Sequence, residues 1–385
     1  MDWLEKAQRS LAKEHLAAWI IYDFCGTNPI AQEYLALNKT MSRRVFCIVP
    51  QQGQATLIVH SMDRAFVTMP GMTIRSYSSR QSLEVLLKDL VPKARVALEY
   101  SPNSDIPYIS YVDGGVIDIL ENLGAQPVSS APLLQALNLW SAEQLRAHVR
   151  VAEHLNLAKN IAFEYISLHA PMGKSVRESD VQKVIGDYFE RHRLSYDPPN
   201  VSFGRNTAHP NYVTQLGKDA VLKMGDMIMI DLWAKLALSD APFANISWAG
   251  MYGEPNIQIQ KMWNVIKAAR NLVVQSLHKA YKEKRCPKGC EMDQIARTYI
   301  GQKGYGQAFI HRTGYSLGIK HRQGHTAHLD DFETHDSRPL SPGLGIAIEP
   351  GIYLEHFGLR SKINVFLEAT GPKVTTEVQE DLFIV

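Results

Sequence analysis

Hydrophobic and polar positions follow two different periods along this chain, and the switches between them outline its elements. Short apolar runs of strand length occupy residues 18–22, 45–49, 55–59 and 95–100. Between the last two, Leu83, Leu86, Leu87 and Leu90 recur at helical spacing and predict a helix over 81–90. Pro50-Gln51-Gln52-Gly53 separates two strand runs and reads as a hairpin signal. Strands alternating with helices predict a small α/β domain over residues 1–138. Residues 129–132 and Trp140-Ser141 mark its end. Ser141-Ala142-Glu143-Gln144 is a capping box that opens a helix over 142–169, leading into a second domain over 139–385. Ser179-Asp180-Val181-Gln182 reads as another box, opening a helix that ends near 192.

The second domain has a different order. Strand runs over 201–204, 226–233 and 245–250 precede helical patterns over 258–284 and 291–303, and strand runs over 345–354, 358–367 and 380–385 close the chain. Helices flanked by antiparallel-looking strands predict an α+β fold. Charged residues interrupt several of these apolar runs. Asp231 follows Met227-Ile228-Met229-Ile230, Glu349 follows Gly345-Ile346-Ala347-Ile348, and Lys362 lies inside 359–367. Buried charges are costly unless paired or used, and carboxylates at strand ends suit a site where a cation offsets their desolvation. His311, Tyr315, His321, His325, His328 and His335 also crowd into 25 positions.

Composition narrows the function classes. At 385 residues, 45% hydrophobic and 21% charged, the chain falls in the ordinary globular range. Its 41 basic and 39 acidic residues leave a net charge of +2, which gives no field for nucleic acid or an anionic membrane. The N-terminus is charged and amphipathic rather than a secretory leader, and no stretch reaches the length of a membrane-spanning helix, so a cytoplasmic setting is expected. Four cysteines are too few for a disulfide framework, and Cys286 and Cys290 lack the spacing of redox or zinc pairs.

Several motifs, in order, resemble one family. Tyr22-Asp23-Phe24-Cys25-Gly26-Thr27-Asn28-Pro29-Ile30 looks like the start of the creatinase-type N-terminal domain of bacterial Xaa-Pro peptidases. Ile230-Asp231-Leu232-Trp233-Ala234-Lys235, His311-Arg312-Thr313-Gly314, Ile348-Glu349-Pro350-Gly351 and Gly358-Leu359-Arg360-Ser361-Lys362-Ile363-Asn364 look like the catalytic domain of the pita-bread metallopeptidases. Aminopeptidase P, prolidase, methionine aminopeptidase and the metal-free creatinase belong to that group. The resemblance covers nearly the whole chain. It implies a creatinase-type α/β domain followed by a pita-bread domain, and a homodimer.

The resemblance also implies a two-metal site built from Asp, Asp, His, Glu and Glu, and here the chain departs from it. Asp231 and Glu349 match the first Asp and first Glu. Asn245 stands at the second Asp, Tyr315 at the His and Lys362 at the second Glu. Asn211 replaces a family histidine that touches substrate, and His321 fits a second such position only with a gap. Arg360 matches an arginine that braces carboxylates. An ammonium repels a metal ion, asparagine offers only a neutral oxygen, and a tyrosine binds weakly unless ionised, with an ordinary pKa of about 10. No metal and no cofactor are therefore expected, and Lys362 is expected to pair with Asp231 and Glu349.

Three functions remain open. The first is a metal-independent hydrolase or lyase acting on a small amino-acid-derived molecule or short peptide. Lys362 would serve as base or electrophile, Tyr315 as acid, and Asp231 and Glu349 as orienting carboxylates, with Asn211, Asn245, His321 and Arg360 binding substrate. Such an enzyme requires those four catalytic groups to converge. Creatinase is a precedent for metal-free chemistry, although its histidine corresponds to Asn211, so its mechanism does not transfer. The second is a catalytically inactive binding or scaffold protein. The third is an Xaa-Pro peptidase with altered ligands, and a metal site rearranged around His321, His325 and His328 is a related option. The residues around those histidines read as a solvated loop, and His335 as surface. His311 reads as fixing a turn, and Trp233 and Trp248 read as core.

Overall fold

The computed structural model describes residues 2–36 and 41–385, and the chain divides into two compact units, Met1–Asn138 and Leu139–Val385. The first contains β1 (Ala18–Asp23), β2 (Val45–Pro50), β3 (Thr56–His60), β4 (Thr73–Tyr77), β5 (Arg95–Leu98) and β6 (Gln126–Ser129) in the sheet order β4-β3-β2-β1-β5-β6. The β1–β2 and β2–β3 pairs are antiparallel and the remaining pairs parallel. Helices α1 (Asp2–Lys13), α2 (Pro29–Leu35), α3 (Arg80–Leu90), α4 (Gly114–Asn122) and α5 (Ala131–Leu137) complete the unit. Every residue of β1 is buried, so both its faces pack: Trp19 and Ile21 into one cluster, Ile20 and Tyr22 into another. This explains the unbroken apolar run that marked it in the sequence.

The second unit opens with α6 (Ala142–His169), whose Ser141–Gln144 capping box forms as expected. The next helix, α7 (Glu178–Arg191), starts one residue before the predicted box. Asp180 accepts the Arg177 backbone N–H at 2.9 Å, while the Ser179 hydroxyl donates to Asp219 at 2.6 Å instead of capping. Strands β7 (Leu194–Tyr196), β8 (Asn200–Phe203), β9 (Met227–Leu236) and β10 (Ala244–Met251) follow, then helices α8 (Ile257–Lys282) and α9 (Gly289–Gln302). The last elements are β11 (Gly314–Ser316), β12 (Gly345–Ile348), β13 (Gly351–Tyr353), β14 (Gly358–Arg360), β15 (Ile363–Glu368), β16 (Gly371–Val374) and β17 (Phe383–Ile384). One sheet runs β17-β10-β9-β7 with β8 also on β9, a second runs β11-β12-β15-β16, and β13 pairs with β14 alone.

Two features of this unit position the site. In the β9–β10 ladder Asp231 lies opposite Ser247, and Trp233 opposite Asn245. Successive side chains alternate, so these four share one face, while Ile228, Ile230, Leu232, Ile246 and Trp248 pack the other face against α6 and α7. The two long C-terminal runs read as single strands in the sequence, but each is broken. At Glu349-Pro350 the chain leaves the β12–β15 pairing for the β13–β14 pairing, and at Ser361-Lys362 it returns. Proline has no N–H to continue a ladder, which accounts for the first break. Glu349 and Lys362 therefore stand where the chain changes sheets, whereas Asp231 lies in the middle of β9 and not at the strand end expected.

A buried carboxyl in the first unit has a measurable consequence. Glu99 is fully buried, accepts the Trp19 indole N–H at 2.6 Å and an Asn28 amide N–H at 3.2 Å, and pairs with no cation among the described residues. Burial pushes its pKa up to about 7, against the opposing hydrogen bonds from Trp19 and Asn28. The folded state therefore holds this proton more tightly than the unfolded state. The stability it contributes is complete below about pH 4.5 and is lost as pH rises through 7, a change of about 3 kcal/mol. Glu99→Gln should flatten the dependence of thermal unfolding on pH between 4.5 and 7. An unchanged pH profile in that variant would count against this assignment.

Candidate functional site

The site forms where the polar face of β9–β10 meets the two strand breaks. Lys362 extends its ammonium to both carboxylates, at 2.9 Å from Glu349 Oε2 and 3.1 Å from Asp231 Oδ1. Arg360 donates to the other oxygen of Asp231 and, through Nε, to the Ser247 hydroxyl at 3.1 Å. The Tyr315 hydroxyl donates to the same Oε2 of Glu349 at 3.3 Å and accepts from Asn245 Nδ2 at 2.6 Å. Asn245 is engaged at its side-chain oxygen, its side-chain nitrogen and its backbone N–H. Its Oδ1 accepts from Asn364 Nδ2 at 2.8 Å and its backbone N–H donates to Asn364 Oδ1 at 2.8 Å. Trp233 stacks on Tyr315 at 5.6 Å and 14°, and the Lys362 ammonium lies 5.1 Å from the Trp233 ring.

All of these groups except the half-buried Trp233 are buried, with Lys362 only 3% exposed, so the local dielectric is low and each unpaired charge would be expensive. Two carboxylates face two cations, and the cluster is neutral. Burial alone would raise the Glu349 carboxyl, but the Lys362 and Arg360 cations overcome it and hold the pKa at about 2. Burial and the neighbouring Glu349 and Asp231 carboxylates push the Tyr315 phenol well above its ordinary value, so it remains a neutral hydrogen-bonding group. Burial lowers His311 to about 4, and its ring bridges the Arg312 carbonyl at 2.7 Å and the Tyr353 hydroxyl at 3.0 Å. Both ring nitrogens are therefore engaged by the protein.

A cavity of about 470 Å³ opens beside the cluster. Tyr315, Glu349, Arg360 and Asn211 line it, together with His311, Arg312, Gln323 and Glu333. Asp231, Asn245 and Lys362 do not line it, although the four residues expected to do chemistry do converge. His321 is exposed and outside the cavity, and Gln323 takes the position toward which that segment turns. The neighbouring segment is not the solvated loop expected. His328 is buried, accepts the Ser316 backbone N–H at Nδ1 at 3.0 Å, and is pushed well below its ordinary pKa by burial and by Arg312 and Arg338. His335 is exposed, as expected.

Sequence reasoning missed Trp233, Asn364, Ser247 and Arg312. Trp233 was read as core, yet it stands two residues from Asp231 on the same strand, which places it on the same face. Asn364 is a polar residue within an apolar strand run, the same signal that singled out Lys362. Trp248 is core, with the Lys159 ammonium 3.5 Å above its ring.

Residues 146–370 match metallopeptidase family M24, and the chain belongs to that family. An uncharacterized peptidase of Staphylococcus aureus is 25% identical over 250 residues, a match that spans 64% of this chain and 64% of the length of that relative. Among solved structures, dipeptidase PepE from Mycobacterium ulcerans superposes with a TM-score of 0.73 at 18% identity, over 100% of this chain and 97% of that one. The Xaa-Pro dipeptidase from Bacillus anthracis gives 0.65 at 18% identity, over 100% and 99%. The N-terminal domain of FACT complex subunit SPT16 from Cicer arietinum gives 0.64 at 13% identity, over 98% and 96%. The fold is the two-domain pita-bread arrangement.

The ion-pair geometry makes a direct prediction. Lys362→Met leaves Glu349 without its nearest cation and should destabilise the chain by about 3–5 kcal/mol. Adding Glu349→Gln should recover much of that loss, because the stranded charge is then gone. Thermal unfolding of the two variants checks this, and equal destabilisation in both would contradict the pairing.

Proposed function

We propose that this M24 chain carries an internal ammonium in place of its metal ions, and that its pocket is a metal-independent binding site for a small amino-acid-derived molecule or short peptide. The observation that carries the reading is the Lys362 ammonium, 2.9 Å from Glu349 and 3.1 Å from Asp231. A divalent ion between those carboxylates would meet a fixed positive charge. The other family ligand positions offer no compensation: the Asn245 amide is taken by Asn364 and Tyr315, and Tyr315 is held neutral. These residues do not fit a dinuclear metal centre. The cavity has the volume of a small-ligand site, and cations and anions both line it, which suits a zwitterion.

The metal-independent hydrolase or lyase is the second reading. The convergence of Lys362, Asp231, Glu349 and Tyr315 favours it. Binding ranks first because Lys362 and Asp231 do not line the cavity and Tyr315 makes a poor acid. A homodimer in the cytoplasm, with neither nucleic acid nor membrane as partner, completes the proposal. No described helix is long and apolar enough to cross a membrane.

A thermal-shift screen of amino acids, dipeptides and guanidino compounds, run with chelator present, tests the reading. The expected result is a ligand whose binding is indifferent to chelator and which is recovered unchanged. Turnover of that ligand, lost in Tyr315→Phe, would promote the enzyme reading. Manganese-dependent hydrolysis of Xaa-Pro dipeptides would overturn both. The triple substitution Asn245→Asp, Tyr315→His and Lys362→Glu should create manganese binding that the native chain lacks, measurable by calorimetry. Its peptidase activity should also require Asn211→His.

A further inference from the structure

A second group of ligating side chains lies away from this pocket, where the start of α9 meets the loop between β11 and β12. Among the described residues, Cys290, Asp331 and His335 each offer a ligand atom, and the three atoms lie within 4.8 Å of one another. We propose that these residues form a binding site for a single zinc-type transition-metal ion, independent of the reading of the pocket. A thiolate and an imidazole select zinc or cobalt over magnesium or calcium, and a carboxylate is a common third ligand. Three protein ligands leave a fourth tetrahedral position for water or a further donor.

The ligands are held by separate, well-anchored pieces of backbone. The Gly289 and Cys290 N–H groups donate to the Arg338 and Asp336 carbonyls at 3.1 and 2.9 Å, which ties the helix start to the loop. A Cβ on Gly289 would overlap the His328 carbonyl oxygen, so the contact depends on glycine there. Within the loop, Asp330 accepts from Phe332 N, Glu333 N and Thr334 Oγ1 at 3.0, 2.9 and 2.8 Å. That turn brings His335 Nδ1 back to 2.6 Å from Asp331 Oδ1. Gln294 Nε2 donates to the other oxygen, Asp331 Oδ2, at 2.5 Å. An outer partner of this kind orients a ligating carboxylate. Cys290 is buried and is not in a disulfide. Burial and the Asp331 carboxylate raise its thiol, so a bound cation would displace that proton. Lys288 is the cation near Cys290, and Arg285 already pairs with Glu291 beside it.

Titration of the chelator-stripped full chain with cobalt tests the site. One equivalent should bind with a thiolate-to-cobalt charge-transfer absorption, release protons and be displaced by zinc. Cys290→Ser should remove the absorption. His335→Ala, at an exposed position the fold does not need, should abolish stoichiometric binding, and Gln294→Ala should weaken it about tenfold. Cys286→Ser and Asp231→Asn should leave it intact. The proposal fails if no saturable binding appears, if the absorption survives Cys290→Ser, or if His335→Ala binds as the native chain does.

Discussion

Two buried carboxylates, Asp231 in the middle of β9 and Glu349 just past the end of β12, face each other across the second unit, and the rest of that unit depends on how their charge is met. Neither can be buried alone without a penalty of several kcal/mol. Lys362 and Arg360 meet it from one short segment, at the break where the chain passes from β14 to β15. The break is part of the solution. A residue inside a regular ladder points along a fixed normal, whereas one at a sheet change can turn its side chain toward a third strand. The isolated bridge between Lys362 and Ser247 fixes that orientation against β10.

With the charges balanced, Asn245 and Tyr315 add hydrogen bonds without adding charge. Asn245 and Asn364 exchange a reciprocal pair at 2.8 Å each and join the β9–β10 ladder to the β12–β15 ladder. Tyr315 closes the run between Asn245 and Glu349. Each of these side chains is hydrogen-bonded to the next, the condition under which a buried polar network rigidifies rather than destabilises. The cavity beside it shares Tyr315, Glu349 and Arg360 with the cluster and adds Arg312, Gln323 and Glu333.

Much of this was legible in the sequence. Asp231, Glu349 and Lys362 were visible because each interrupts an apolar run, and their motifs gave the fold and the family. The pairing of Lys362 with both carboxylates followed from the resemblance, which sets all three at neighbouring ligand positions, together with their charges. What could not be read was direction. Whether Lys362 faces the cavity or turns from it depends on the strand break, and period-two patterning does not reveal a break between two short strands that look like one. The histidine-rich loop misled for a related reason. Its polar composition suggested solvent exposure, but Asp330, Asp336 and Arg338 spend their polar groups on one another and on its backbone, which buries His328.

The balanced cluster also limits which substitutions this chain can accept one at a time. Glutamate at position 362 alone would set a third carboxylate beside Asp231 and Glu349 with only Arg360 to answer them. Aspartate at 245 alone would add an anion where Asn364 now donates, beside a tyrosine already hydrogen-bonded to Glu349. Each such step leaves a buried charge less well answered than before, so these positions change at low cost only together. Of the pocket lining, Arg312, Gln323 and Glu333 lie outside that constraint, whereas Tyr315, Glu349 and Arg360 are bound by it.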